Sequence, residues 1–265
     1  MKTLAAIAGA VMMLAGVGFA HGGVVVDEQQ TVDQPGGGTV TRTRIVMIEG
    51  NKQKSIIDSG NRTVITDLDR GIMTMMDSGR RSYVELPFPP QGPMAQMQAG
   101  MPKMSFKKTG ERNKVIGYSC EVYVGSGTVG PNAVSVTGCF SSSAPGASEY
   151  TAFQRTMADK VKGTSMENMG QIPDGVPLKL KVTTKTGQIP TSGMSADQAA
   201  KVNKMLSNRQ FVTDTVVSKI SKEKLAGDSF DVPSGYEKQA LPPMFGGPGK
   251  APAPGGGGAS QKVPE

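Results

Sequence analysis

From Val24 to Leu86 the chain runs in short segments rich in Val, Ile, Thr and Met, each closed by turn residues, and no other feature restricts the fold as much. Val24–Val32 reads as a first strand, Pro35–Gly38 as a turn and Thr39–Glu49 as a second strand. Gly50 and Asn51 make the next turn, and strands follow over Gln53–Asp58, Arg62–Leu68, Gly71–Asp77 and Arg80–Leu86. In the second strand Thr41, Thr43, Ile45 and Met47 alternate with Val40, Arg42, Arg44 and Val46, which puts the arginines on the wet face. A meander of about six strands with such regular spacing predicts one antiparallel sheet, open or curled.

Pro87-Phe88-Pro89-Pro90 ends the meander, and a methionine-rich connection follows. Met94, Met97, Met101 and Met104 fall at helical spacing, but Gly100 and Pro102 limit any helix to a turn or two. The next stretch, Asn113–Val124, reads as a strand whose Ile116, Tyr118, Cys120, Val122 and Val124 share one core face, with Asn132–Phe140 returning beside it. If Cys120 stands opposite Cys139, the turn centres between Val129 and Gly130, where Gly127, Gly130 and Pro131 cluster. That register puts Ser135 and Thr137 on the core face and Val134, Val136 and Phe140 on the other. A one-residue bulge at Gly138 would restore the parity, since a bulge moves every side chain beyond it to the opposite face. The expectation is therefore a bulge at Gly138, and a regular ladder through 134–140 excludes it.

Ser148–Val161 is the clearest helix: Ser148 can cap it, Glu149 suits its first turn, and Tyr150, Phe153, Met157 and Val161 form one apolar stripe for the sheet. Pro177–Thr186 and Gln210–Ser218 read as further strands, with Leu178, Leu180 and Val182 alternating against Lys179 and Lys181. Between them Ser195–Gln198 forms a capping box that opens a short helix through Leu206. Phe230–Tyr236 closes the domain, and 242–265, made of Pro, Gly and Ala with Lys, has a composition that cannot bury a core and is expected to be a disordered tail.

Residues 1–20 have the layout of a cleaved secretory signal: Lys2, an apolar run from Leu4 to Val17, then Gly18-Phe19-Ala20. Val17 stands where a lipoprotein signal would place its cysteine, so the expectation is a soluble periplasmic or secreted protein, not a lipid-anchored one, with one domain over 21–241. Without Lys2 the 29 Lys and Arg fall to 28 against 22 Asp and Glu, a net of +6. Outside the cytoplasm the polyanions within reach of this excess are lipid head groups and surface polysaccharides, not nucleic acid. Two cysteines in an exported chain imply one disulfide, Cys120 to Cys139.

Lys108-Thr-Gly-Glu111 followed by Ile116-Gly-Tyr-Ser-Cys-Glu-Val-Tyr123 resembles the centre of a family of secreted bacterial domains of unknown function. Phe230-Asp-Val-Pro-Ser-Gly-Tyr236 is similar to that family's ending, and Tyr83–Pro87 to one of its strand ends. Such domains look related to the periplasmic lipoprotein carriers LolA and LolB. The resemblance implies an α+β, mostly β fold: a curled antiparallel sheet, a half-open barrel partly covered by one or two helices, with an apolar cavity for acyl chains. The chain departs from the family in having no Trp, with Val136 nearest the usual position.

The remaining chemistry is sparse. Ile56–Gly60 and Met75–Gly79 both end in Asp-Ser-Gly and resemble aspartic-protease signatures, but each precedes a strand, and Asp-Ser-Gly is what a tight turn requires. His21 is the only histidine, which excludes a catalytic triad or a multi-histidine metal site within the chain. Three functions are open. The first is a non-enzymatic binding or carrier protein for an acyl-chain or lipid-like ligand, held by Met94, Met97, Met101, Met104, Tyr118, Phe153 and Met157, with the membrane surface or another envelope protein as further partners. The second is a copper site built from Met94, Met97, Met101, Met104 and His21, because thioether sulfur selects soft metal. The third is a structural cell-envelope protein. The methionines can equally be packing, as gap fillers of a core.

Overall fold

A computed structural model describes residues 22–34, 37–91, 104–129, 132–164, 172–186 and 209–240, with Glu167, Ser195 and Asp197. The expected leader, residues Met94–Met101 of the methionine stripe, His21, the helix over 195–206 and the tail over 242–265 lie outside the described residues, apart from Ser195 and Asp197.

The turn signals of the first third of the chain produce the meander they predict. The strands are β1 (Gly23–Asp33), β2 (Thr39–Glu49), β3 (Lys52–Ile57), β4 (Arg62–Asp67), β5 (Ile72–Asp77) and β6 (Ser82–Pro87). Among the described residues there follow β7 (Ser105–Val115), β8 (Tyr118–Val129), β9 (Asn132–Ser141), β10 (Val176–Lys185), β11 (Gln210–Glu223) and β12 (Glu237–Lys238), with the helix α1 (Ala147–Val161) between β9 and β10. They form one sheet in the order β12-β6-β5-β4-β3-β2-β1-β11-β10-β9-β8-β7, antiparallel except where β12 joins β6. The sheet is large, curled and unclosed, with β7 and β12 as its edges. Both Asp-Ser-Gly sequences are turns: Asp58–Gly60 is a single 3-10 turn, and the Asp77 carboxylate accepts from the Arg80 N–H.

The apolar stripe of α1 lies on the sheet as its spacing requires. Phe153 is 0% exposed and Val161 1%, packed with Val24, Val26, Val46, Ile48, Val176, Leu178, Val217 and Ile220. The helix is not capped by Ser148. Its N-cap is Gly146 in the left-handed region at φ 72, and a Cβ there would stand 2.5 Å from Val24, so glycine both makes the turn and lets the chain touch β1. Ser148 Oγ donates to Glu149 instead, and Glu149 also pairs with Lys222 of β11.

Four further expectations fail for local reasons. First, Asn113–Val124 is two strands, not one. Ile116 (φ 43) and Gly117 (φ 91) form a two-residue turn between the paired Val115 and Tyr118, so Ile116 is 40% exposed rather than in the core. Second, Val122 and not Cys120 faces Cys139, and the hairpin turn centres one residue later than expected. The disulfide joins Cys120 to Cys139 across a diagonal, with Cα atoms 5.3 Å apart. Third, the β8–β9 ladder is regular through 134–140, so Gly138 carries no bulge; the irregularity lies on the other side of β9, where Leu178 of β10 is the extra residue. Fourth, the face of the arginines is wet at Arg42, which is exposed, but not at Arg44, which is half-buried. Both share a face with Val46 and Ile48, and Arg44 stands directly opposite the buried Glu28. Strand β11 also runs to Glu223, beyond the expected end.

The opposite face of β3–β6 is covered by the closing segment. Lys54, Ile65, Thr74 and Glu85 form one cross-strand row. Lys54 Nζ donates to the Ser229 carbonyl at one end, and Glu85 pairs with Lys238 at the other. Ile65 and Thr74 are buried between them.

Candidate ligand-binding face

The face of β1 that packs on α1 through Val24 and Val26 continues through Gln30 and Val32, because alternate residues of a strand share a face. From Val32 the pairing runs to Thr213, Val182, Val136, Gly125 and Phe106. A parallel row runs from Gln30 to Thr215, Leu180, Gly138 and Tyr123. Directly paired residues lie side by side on one face, so β7–β10 carry an apolar surface there, bordered by Thr213 and Thr215 of β11 and by Lys108 of β7. Val136, Val182, Leu180, Phe106 and Tyr123 are all half-buried, and the main contacts of α1 with the sheet fall on β1, β2 and β10.

Two glycines shape this surface. A Cβ on Gly138 would stand 2.4 Å from Phe140 Cε2 and 2.8 Å from Leu180 Cδ2. One on Gly125 would stand 2.9 Å from Phe106 and 3.3 Å from the Met104 methyl. The missing side chains let these groups lie against the backbone. Phe140 meets Phe106 edge-on at 6.2 Å and Tyr123 at 5.6 Å, a geometry that favours aromatic pairs. Beside Tyr123 and Phe140 runs a groove of about 320 Å³ with a polar rim that includes Arg112, Glu121, Ser142 and Ser143. Glu121 is bound by Lys108 at 2.6 Å and Arg112 at 3.4 Å, and the Lys108 hydrogen bond is the main cause holding its carboxyl below the usual range.

At the boundary between the covered and open parts of this face sits a polar seam. Glu28 is 7% exposed, lies 3.6 Å from Arg44 Nη1, and has an Oε2 with no hydrogen-bond partner among the described residues. Burial pushes its carboxyl up, against the pull of Arg44. Arg44 Nη2 donates to Ser55 Oγ at 3.0 Å. Tyr150 of α1 is pushed up to about 12, first by burial and then by the nearby Glu28 charge.

The expected site residues divide accordingly. Met104 joins the aromatic face beside Gly125. Phe153 is fully covered by the core, with Met157 and Tyr118 packed at its margin, so these three do not sit with Met104. Phe106, Tyr123, Phe140 and Leu180 were not foreseen as a site, although the conflict of parity between the two cysteine strands marked Phe140 and Val136 as apolar residues on a second face. Among the described residues no three His, Cys, Asp or Glu side chains converge on a metal-sized site, and no helix is long and apolar enough to cross a membrane.

No family model matches the chain, and no curated protein matches it. Among solved structures, PNGF-II is similar over 82% of this chain and 30% of that one, at 12% identity and a TM-score of 0.39. The LolA superfamily protein NE2245 from Nitrosomonas europaea is similar over 80% of this chain and 91% of its own, at 8% identity and a TM-score of 0.30. A DUF1329 family protein from Desulfovibrio piger is similar over 80% and 90%, at 7% identity and a TM-score of 0.32. The chain spans under a third of PNGF-II.

Proposed function

We propose that the chain is a non-enzymatic binding or carrier protein of the periplasm, and that it holds an acyl-chain or similar apolar ligand on the open face of β7–β10. The observation that carries this reading is the cross-strand row of Val182, Val136 and Phe106, with Gly125 between the last two, lying half-exposed on the face that α1 covers elsewhere. An apolar surface left open beside a groove with a charged rim suits a molecule with a hydrocarbon body and a polar end. Burying about ten methylenes there would contribute roughly 8 kcal/mol, from which the association and ordering costs of binding are subtracted.

The test is native mass spectrometry of protein purified from the periplasm, followed by titration of the delipidated protein with a fluorescent long-chain fatty acid. A lipid-sized adduct and saturable binding are expected, with Leu180→Asp weakening binding at least tenfold while circular dichroism stays unchanged. A copper adduct without lipid would favour the methionine site instead. A clean apoprotein that binds no fatty acid, or binding indifferent to Leu180→Asp, would refute the proposal.

A further inference from the structure

The chain's positive charge is concentrated at one end of the sheet. Strands β7–β10 hold Lys107, Lys108, Arg112, Lys114, Lys179, Lys181 and Lys185 against Glu111 and Glu121, a net of +5 out of +7 for the whole chain. Strands β3–β6 balance Lys52, Lys54 and Arg62 against Asp67, Asp77 and Glu85. Within the basic end, Lys107, Val124, Thr137 and Lys181 form one cross-strand row on the face opposite the apolar one. Lys179 and Lys185 flank Lys181 on β10, and between them stand the small side chains of Ser135 and Thr183. None of Lys107, Lys179, Lys181 and Lys185 forms an ion pair among the described residues. The acids facing them are Glu111, which takes a hydrogen bond from Asn113, and Asp214, opposite Lys181. Val124 projects from the middle of the row, 43% exposed.

We propose that this lysine face and the β7 edge dock on an anionic lipid bilayer. Short hydroxyl side chains leave the long ammonium arms free to reach a flat layer of phosphates, and Val124 adds an apolar point that enters the interface. An acidic protein would be met by the charge alone, but it would not use an edge strand that carries the ligand face with it. Phe106 of β7 and the adjoining Met104 belong to the apolar face, so docking β7 brings the open end of that face to the membrane. The inference rests on the preceding reading for why the chain visits a bilayer, and on the charge distribution for where it touches.

Sedimentation with vesicles of equal parts phosphatidylglycerol and phosphatidylcholine tests it, against vesicles of phosphatidylcholine alone. Wild-type protein should bind the first and not the second, and high salt should release it. Each cation near an anionic surface strengthens binding about fivefold, so Lys107→Gln/Lys179→Gln/Lys181→Gln should weaken it about a hundredfold. The same charge change at Lys160, Lys162 and Lys224, at the end of α1, just beyond it and after β11, should weaken it far less; an equal loss would show a net-charge effect and overturn the proposed face. Fatty-acid binding by the first triple variant should be unchanged. Wild type that binds fatty acid but no anionic vesicle overturns this inference alone, and a soluble acidic partner would then be sought. Wild type that binds neither overturns the inference and the proposed function together.

Discussion

Gly138→Ala is the sharpest test of how the aromatic face is built. Gly138 lies in β9 without a positive φ, so the backbone accepts alanine, and the substitution alone should gain about 0.4–1 kcal/mol by restricting the unfolded chain. Against this stand contacts of 2.4 Å and 3.0 Å to the Phe140 ring and 2.8 Å to Leu180. Phe140 is 3% exposed and wedged between Phe106 and Tyr123, so its ring cannot swing clear without breaking an edge contact. Overpacking of this kind costs about 1–3 kcal/mol and a lost aromatic contact roughly 0.5–1.5 kcal/mol more. The net is a destabilisation of about 0.5–4 kcal/mol, read as a lower urea midpoint at constant m-value and a fall in Tm of several degrees. Gly227, also without a positive φ and with open space around it, is the control, and Gly227→Ala should be neutral or slightly stabilising. Phe140→Leu in the Gly138→Ala background should recover part of the loss, since it removes the ring atoms that clash. Should Gly138→Ala prove as stable as Gly227→Ala, the packing of Phe140 on Gly138 would be wrong.

Other perturbations report on the core and the polar seam. Phe153→Ala should cost about 3–5 kcal/mol by chemical denaturation, because the side chain is fully buried under α1; a loss below 1 kcal/mol would place the helix elsewhere. Cys120→Ser/Cys139→Ser opens a loop with a sequence separation of 19 and should cost about 3 kcal/mol, seen as the same shift in midpoint that a reductant produces in wild type. Glu28 has a folded-state pKa raised by burial, so the folded state holds its proton more tightly than the unfolded one. This group's contribution is therefore favourable at low pH and is lost as pH rises from the unfolded value of about 4.5 through the raised folded value. Glu28→Gln should abolish that loss, so that its stability relative to wild type improves as pH rises through this window; a relative stability flat with pH would refute the assignment.

Period-two patterning and turn residues were sufficient for β1–β6, because each short segment carries its own signal and pairs with its neighbour in sequence. The stripe of α1 was legible for the same local reason. Pairing beyond the hairpins was not. Ile116 in a turn is invisible to propensity, since a β-branched residue at positive φ is the last choice for that position. Arg44 looks solvent-facing until Glu28, sixteen positions earlier, is seen to stand beside it. The aromatic face was present in the text as a contradiction: Val134, Val136 and Phe140 disagreed in parity with Cys120 and Val122. Assuming one buried face, the contradiction demanded a bulge. The strands instead have apolar residues on both faces, with the disulfide on one and the aromatic cluster on the other.

An apolar face next to a free sheet edge would ordinarily invite self-association, since an unpaired strand offers both hydrogen-bonding groups and adjoining hydrophobic surface. Strand β7 has two devices against this. Its exposed side chains include Lys107, Lys108, Arg112 and Lys114, so a second copy would bring like charges together, and its ladder is interrupted between Lys108 and Arg112, where Gly110 takes φ 84. The interruption removes a regular template for another strand. The opposite edge is occupied by β12, two residues long and ending in Lys238. With both edges blunted, Phe106, Val136, Leu180 and Val182 can remain half-buried without being consumed by pairing between copies. On the proposed docking, the same lysines that repel a second copy would attract anionic lipid, so one set of charges would discriminate between a second copy that blocks the face and the proposed membrane surface.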